Sequence, residues 1–367
     1  MKRTWSQLFI LCLMLVLCRN NSMAQSFDLG SVDAFFSLAE KMKSGENVTE
    51  DEWQHFFETK GYGIISEHFG QDMVKRCITL AFDPQQNNLC DSILSNELTN
   101  QSDLLIKFTV NNYVDMTKHW DALKEYRKTY DFEGLKGRAI DVLKHFLSNP
   151  NDSLIQFPSL TFLCFDANGR KLNKGISLDL NFTYKRTTEE NARFLAHEMF
   201  HAYRGYLYNK EFVNSSPAIK ALSRVQNEGI ADLIDKESLE SAVEDPLVPK
   251  EIVKQYVDTH NNTPALLQKL DTTTMAYLKG DVKEAEFESI ANNLFLFDGH
   301  ANGYYMASLI KRHGFLSEIT ENPANPVVFA RTYNKAAKLE GSYVLSSEFM
   351  NYIEKLESKY AGLFNND

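Results

Sequence analysis

The sequence predicts an α+β fold, predominantly helical, with one small antiparallel sheet just ahead of a helix that carries two histidines. Three observations lead to it. From Phe27 to about Leu147 apolar residues recur at helical intervals. Between Ser159 and Tyr184 the pattern turns to short apolar runs and period-two alternation. At Thr187 a capping signature opens a helix containing His197-Glu198-Met199-Phe200-His201.

Taken in order, the chain begins with Lys2 and Arg3, then an apolar run from Leu8 to Leu17, then Ser22-Met23-Ala24. A charged start, an apolar middle and small residues at −3 and −1 predict a signal peptide over 1–24, cut between Ala24 and Gln25. The protein is therefore expected to be exported, periplasmic or secreted. A lipoprotein signal ending at Cys18 is the competing reading, opposed by the bulky Leu17 before it. The run is shorter than the ~20 residues a bilayer requires, so no membrane span is expected. Loss of the leader removes Lys2, Arg3 and Arg19 and no acid, so the mature chain is more acidic than the −10 of the whole. An acidic chain with no basic block is a poor candidate for binding nucleic acid or anionic membrane, and neither is expected as a partner. Cys77, Cys90 and Cys164 remain, an odd number without a C-x-x-C pair. Buried thiols or a Cys77–Cys90 bridge both fit; a cysteine metal site does not.

The helical N-terminal region is assigned to 25–150. Thr49-Glu50-Asp51-Glu52 reads as a capping box opening a short helix through Trp53, Phe56 and Phe57, closed by Gly61. Leu104 to Leu147 reads as two or three helices with a break near Gly134 and Gly137. His55, His68, His119 and His145 are scattered without ligand spacing and read as surface or hydrogen-bonded core residues. After the turn cluster Asn149-Pro150-Asn151-Asp152, a second region over 151–367 opens with strands at Ser159–Phe165 and Gly175–Tyr184. This sheet either supports the next helix or aligns an extended peptide by main-chain pairing.

Thr187 caps that helix and Glu190 reaches back. His197 and His201, four apart, project from one face and can share one Zn²⁺. Glu198 is then a candidate to take the proton of a metal-bound water. The uncharged neighbours Phe194, Leu195, Ala196, Met199 and Phe200 predict burial, where two imidazoles and a carboxylate need partners. A second helix from Pro217 to about Leu239 holds Asn227-Glu228-Gly229-Ile230-Ala231-Asp232. Glu228 fits a third ligand, and Asp232 a carboxylate that orients a liganding histidine. Two histidines, one glutamate and an open position make the catalytic type of zinc site. Finally, Asp298-Gly299-His300-Ala301-Asn302-Gly303-Tyr304-Tyr305-Met306 reads as a loop entering a helix. His300, Tyr304 and Tyr305 can each donate to a developing oxyanion; the same stretch also fits a core aromatic and a histidine at a helix start.

H-E-x-x-H at His197–His201 and N-E-x-x-x-D at Asn227–Asp232 together resemble the gluzincin metallopeptidases. The longer metzincin pattern is absent, since Arg204 and Leu207 stand where it requires Gly and His. The mature chain is also similar to a family of exported bacterial proteins described as putative zinc-dependent peptidases. The helical half, the strand pair, the two metal motifs and the late G-Y-Y-M-A segment carry that resemblance. It implies one Zn²⁺ on His197, His201 and Glu228, Glu198 as base and Asp232 behind the ligands; it does not carry over a particular substrate, and the expectation taken is a zincin-like core acting on a peptide or protein. Two other readings are carried alongside: a zinc hydrolase of non-peptide amides or esters, and a non-enzymatic binding protein that keeps the fold.

Overall fold

The computed structural model describes residues 27–95, 101–147, 158–172, 175–239, 248 and 250–360. The expected leader over 1–24, with Cys18, lies outside the described residues. Among the described residues, eight α-helices precede the sheet proper: α1 Gly30–Lys43, α2 Glu50–Glu58, α3 Lys60–Phe69, α4 Gln71–Phe82, α5 Asn87–Ser95, α6 Gln101–Lys118, α7 Trp120–Thr129 and α8 Phe132–Leu143. Thr49 forms both halves of its capping box with Glu52. Gly61, however, does not close α2; it sits inside α3, pressed against Ser31, whose Oγ accepts its N–H at 2.8 Å. The expected break at Gly134 and Gly137 falls instead at Asp131, which caps α8 through the Gly134 N–H.

The sheet is mixed, which corrects the expected antiparallel pair. Strands β1 Phe27–Asp28, β2 Leu160–Leu163, β3 Gly169–Leu172 and β4 Gly175–Asp179 lie in the order β1-β2-β4-β3. β1, β2 and β4 run parallel, and only β3 is antiparallel, hooked onto β4 with Gly169 opposite Leu178 and Leu172 opposite Gly175. β4 therefore fills the interior of the sheet and cannot receive a peptide; β3 holds the edge. Leu180–Tyr184, expected to prolong the strand, is a short helix, α9, started by the Asp179 side chain on the Phe182 N–H. A carboxylate at a cap position explains the switch, because it meets a helix-start donor that a strand would leave unpaired.

The rest is helical: α10 Thr188–Leu207, α11 Lys210–Val213, α12 Pro217–Asp235, α13 Lys250–Asn261, α14 Thr263–Lys279, α15 Glu284–Leu294, α16 His300–Arg312, α17 Leu316–Thr320, α18 Pro326–Glu340 and α19 Ser347–Tyr360. No described helix is long and apolar enough to cross a membrane. One apolar core runs from Phe27 to Ile353, joining the N-terminal helices to the remainder. Tyr62 and Tyr113 donate to the Cys164 carbonyl at 2.6 and 3.1 Å, fastening α3 and α6 to the end of β2. Cys77, Cys90 and Cys164 are buried free thiols. Layered this way, sheet and N-terminal helices hold α10 from one side, with α12 and α16 on the other.

Candidate metal centre

Three helices build the site. α10 begins where Thr187 accepts from the Glu190 N–H at 3.2 Å and Glu190 Oε2 accepts from the Thr187 N–H at 2.7 Å. His197, Glu198 and their neighbours lie near its middle and are buried. α12 starts at Ser216-Pro217, a cap followed by the ring that suits a first helical position. It carries Glu228, Asp232 and Asp235 at i, i+4 and i+7, one face of the helix. α16 starts at His300, after Phe297, Asp298 and Gly299, all with positive φ (53°, 53° and 92°). Two non-glycine residues in that region are uncommon, and here they turn the chain sharply into the helix.

α12 and α16 touch backbone to backbone at Gly229 and Gly303. A Cβ on Gly303 would fall 2.3 Å from the Val225 carbonyl oxygen, and one on Gly229 would fall 2.5 Å from the Gly303 carbonyl oxygen. That crossing brings the first turn of α16 onto Glu228 and Asp232. His300 Nε2 stands 3.2 Å from Glu228 Oε2, and His300 Nδ1 donates to Asp232 Oδ1 at 2.9 Å.

The candidate ligand atoms lie close together. His197 Nε2 and His201 Nε2 are 3.0 Å apart; Glu228 Oε2 is 3.3 Å from His201 Nε2 and 4.0 Å from His197 Nε2. Ligand atoms about 2.0–2.1 Å from a tetrahedral Zn²⁺ are themselves roughly 3.3 Å apart, so the trio has the spacing of zinc ligands. The donor set also fits on chemical grounds. Glu228 Oε1 accepts from the Asn227 amide at 2.8 Å, but Oε2 is buried without a hydrogen bond although three imidazole nitrogens face it. An orphaned carboxylate oxygen among nitrogens that can each offer a lone pair is what a cation would satisfy. His300 does not join the trio; it groups with His197 and Asp232.

Charges around the site show the protons that a metal would displace. Burial opposes ionisation of Glu228, yet His201 and His300 hold it well below the usual carboxylate range. Burial likewise disfavours a charged His201 or His300, but Glu228 and Asp232 respectively outweigh it and push each up to about 9. The carboxylate nearest the outer nitrogen of His197 is Asp235, while Asp232 lies on His300. His197 Nδ1 donates to Asp235 Oδ1 at 2.9 Å, whereas Asp232 Oδ1 is 3.7 Å away and is engaged by His300 and by Lys236. Lys236 also lies 3.4 Å from Asp235. Sequence reading missed Asp235 and Lys236; the i+7 spacing from Glu228 was the available signal for the first.

The other expected residues are distributed unequally. Glu198 is buried next to His197, and its charge acts on the Arg170 guanidinium of β3, which burial pushes down. Tyr304 is buried near Asp232, Asp235 and Lys236. Tyr305 turns elsewhere, its hydroxyl 2.9 Å from Ser342 Oγ. The centre opens to solvent on the His300 side, where that side chain is 32 % exposed against 4 % for His197. β3, the sheet edge, packs along α10 so that a Cβ on Gly169 would strike the Phe194 ring.

A family model described as "Putative zinc dependent peptidase (DUF5700)" matches residues 53–342. No curated protein and no solved structure matches the chain. With most of its length covered, the chain belongs to that family.

Proposed function

We propose that this member of the zinc-peptidase family is an exported hydrolase that cleaves peptide bonds at the His197–His201–Glu228 centre, within a zincin-like core. The observation that carries the reading is the buried, unbonded Glu228 Oε2 facing imidazole nitrogens of both helices. His197, His201 and Glu228 would hold one Zn²⁺, leaving an open position. Zinc supplies Lewis-acid polarisation of a carbonyl and acidifies water when bound.

The chain's own residues supply the rest. Glu198 takes the proton of the attacking water and returns it to the leaving amine. Asp235 holds the His197 Nδ1–H and so fixes which nitrogen faces the metal. His300, anchored on Asp232 and standing on the solvent side, is the residue assigned to the developing negative charge. Tyr305 is not assigned there because its hydroxyl is engaged with Ser342. The outer edge of β3, unpaired among the described residues, offers main-chain donors and acceptors to an extended peptide. Export is supported by the charged, apolar and small-residue order of the first 24 residues.

Metal analysis of purified, zinc-supplemented protein tests the centre: wild type should carry one equivalent, and His197→Ala and Glu228→Ala almost none. Wild type without stoichiometric metal would sink the proposal. A peptide-library digest read by mass spectrometry tests the reaction. Glu198→Gln should keep its metal and lose about 10²–10⁴ of the turnover. Turnover of small amides with no peptide cleaved would point to the non-peptide hydrolase instead.

A further inference from the structure

We infer that Lys236 is a built-in cation seated where a second divalent metal ion would otherwise bind, and that it keeps the centre to a single ion; this rests on the zinc reading above. The place lies on the Nδ1 side of the His197 ring. His197, Asp232 and His300 can bring ligand atoms within 4.8 Å of one another there, a group distinct from His197, His201 and Glu228. His300 Nδ1 is 2.9 Å and His197 Nδ1 3.7 Å from Asp232 Oδ1. Asp235 adds a second carboxylate, whose Oδ1 accepts from His197 Nδ1 at 2.9 Å. Imidazole and carboxylate donors together suit a divalent metal such as Zn²⁺.

Lys236 Nζ holds the position between the two carboxylates. It contacts Asp232 Oδ1 and stands 3.4 Å from both oxygens of Asp235. The placement is local in origin. Lys236 follows Asp232 by one helical turn, at the C-terminal cap of α12, where its N–H still donates to the Asp232 carbonyl at 2.9 Å. Its backbone has already left the helical region (φ −101°, ψ 121°), and its side chain folds onto the acids with only 15 % of it exposed.

Charge and proton positions explain why the substitute works. Asp232 is fully buried, and two carboxylates so placed need a cation. Burial disfavours the ammonium, but Asp232 and Asp235 outweigh it and push Lys236 above the usual lysine range. An ammonium is a point charge with three donors and no vacant coordination position for a nitrogen lone pair. It therefore neutralises the acids and leaves the protons of His197 Nδ1 and His300 Nδ1 on their carboxylates. A divalent ion would instead take those nitrogens as ligands and displace the protons. With Lys236 in place, His197 has Nε2 alone to offer a metal, on the side of His201 and Glu228.

Counting zinc by atomic absorption, after dialysis of each protein against zinc, tests this. Wild type should hold one equivalent and Lys236→Met two. Lys236→Arg, which keeps the charge, should hold one. Lys236→Gln, which keeps an amide donor for the acids and removes only the charge, should hold two even if Lys236→Met fails to fold. Adding Asp232→Asn to either neutral variant should return the count to one, which locates the extra ion. Wild type at two, both neutral variants at one, or a second equivalent that survives Asp232→Asn overturns the inference. Wild type at none with Lys236→Gln at one defeats the His197–His201–Glu228 reading and leaves the second place standing. Wild type and both neutral variants at one does the reverse, and no metal in any of them defeats both.

Discussion

Asp179, at the end of β4, and Glu228, midway along α12, are both carboxylates withdrawn from water, and the fold surrounds them differently. Asp179 Oδ2 accepts from the Phe165 N–H at 2.6 Å and the Asn112 amide at 3.1 Å; Oδ1 accepts from the Phe182 N–H at 2.8 Å. Around it, Asn181 bonds Asn112 and Asp115, and Lys185 pairs with Asp115. Each of these partners of Asp179 is a donor, and together they join α6, β2 and α9. Glu228 has one oxygen met by Asn227, while the other makes no hydrogen bond although the imidazole nitrogens of His201 and His300 stand 3.3 and 3.2 Å from it. Main-chain donors around a buried carboxylate mark a knot that holds structure. Unbonded oxygen beside ring nitrogens is the arrangement from which a cation site is proposed.

The largest effect expected from that contrast is the response to metal removal. Chelation should destabilise zinc-loaded wild type by about 4 kcal/mol, for zinc at a thousand times its dissociation constant. Glu228→Ala should be insensitive to chelator, and Asp179→Asn should keep the wild-type response though less stable throughout. Urea unfolding with and without chelator measures all three. A Glu228→Ala protein that still loses stability on chelation would break the comparison.

Next is the helix crossing that distinguishes the Glu228 region. Gly303→Ala would put a methyl group 2.3 Å from the Val225 carbonyl oxygen and 2.6 Å from the Gly229 nitrogen. Both neighbours are backbone, so α16 must shift, at a cost of about 1–3 kcal/mol. His300 moves with it, while His197, His201 and Glu228 stay on α10 and α12. Stability and turnover should fall with zinc content intact; loss of zinc in this variant would mean that His300 helps to hold the metal.

How much of this was legible in the sequence follows from the range of each interaction. The capping boxes at Thr49 and Thr187 are complete within four residues, and both form. His197 and His201 were readable as a pair because helical spacing places them on one face, and the structure groups Glu228, from a second helix, with them. The parallel pairing of β2 with β4 was not, since strand order is decided by packing between segments. β3 reads Gly-Arg-Lys-Leu, a polar edge with no alternation to see. Gly303 looked like part of a loop because a glycine needed for close approach and one needed for a turn look alike. The Asp232–His300 bond depends on that same crossing and was equally hidden.

Smaller in effect is the division of labour between Asp232 and Asp235. Asp235→Asn should weaken zinc affinity by about 10–100-fold, the usual consequence of disturbing a group that orients a liganding histidine. Asp232→Asn, which acts on His300, should cost turnover more than affinity. Competition with a chromophoric chelator measures the first and steady-state kinetics the second. Equal losses of affinity in both variants would restore the sequence-based assignment of Asp232.

The smallest expected effect tests the knot at Asp179. Burial pushes Asp179 up to about 6 despite the hydrogen bonds from Phe165, Phe182 and Asn112 that pull it down. Its folded value thus lies above the usual ~3.9 for aspartate, so the folded state binds more protons than the unfolded state between those two values. Stability contributed by the neutral carboxyl is present below about pH 4 and is lost as pH rises through about 6. Asp179→Asn cannot titrate. Whatever the stability gap between wild type and variant at pH 4, it should move in the variant's favour by on the order of 1–3 kcal/mol by pH 7. Urea unfolding of chelator-treated proteins at half-unit pH steps keeps the metal centre out of the comparison. A gap independent of pH would mean that the donors around Asp179 balance its burial, and that satisfaction by the main chain is enough to hold a buried carboxylate at its ordinary acidity.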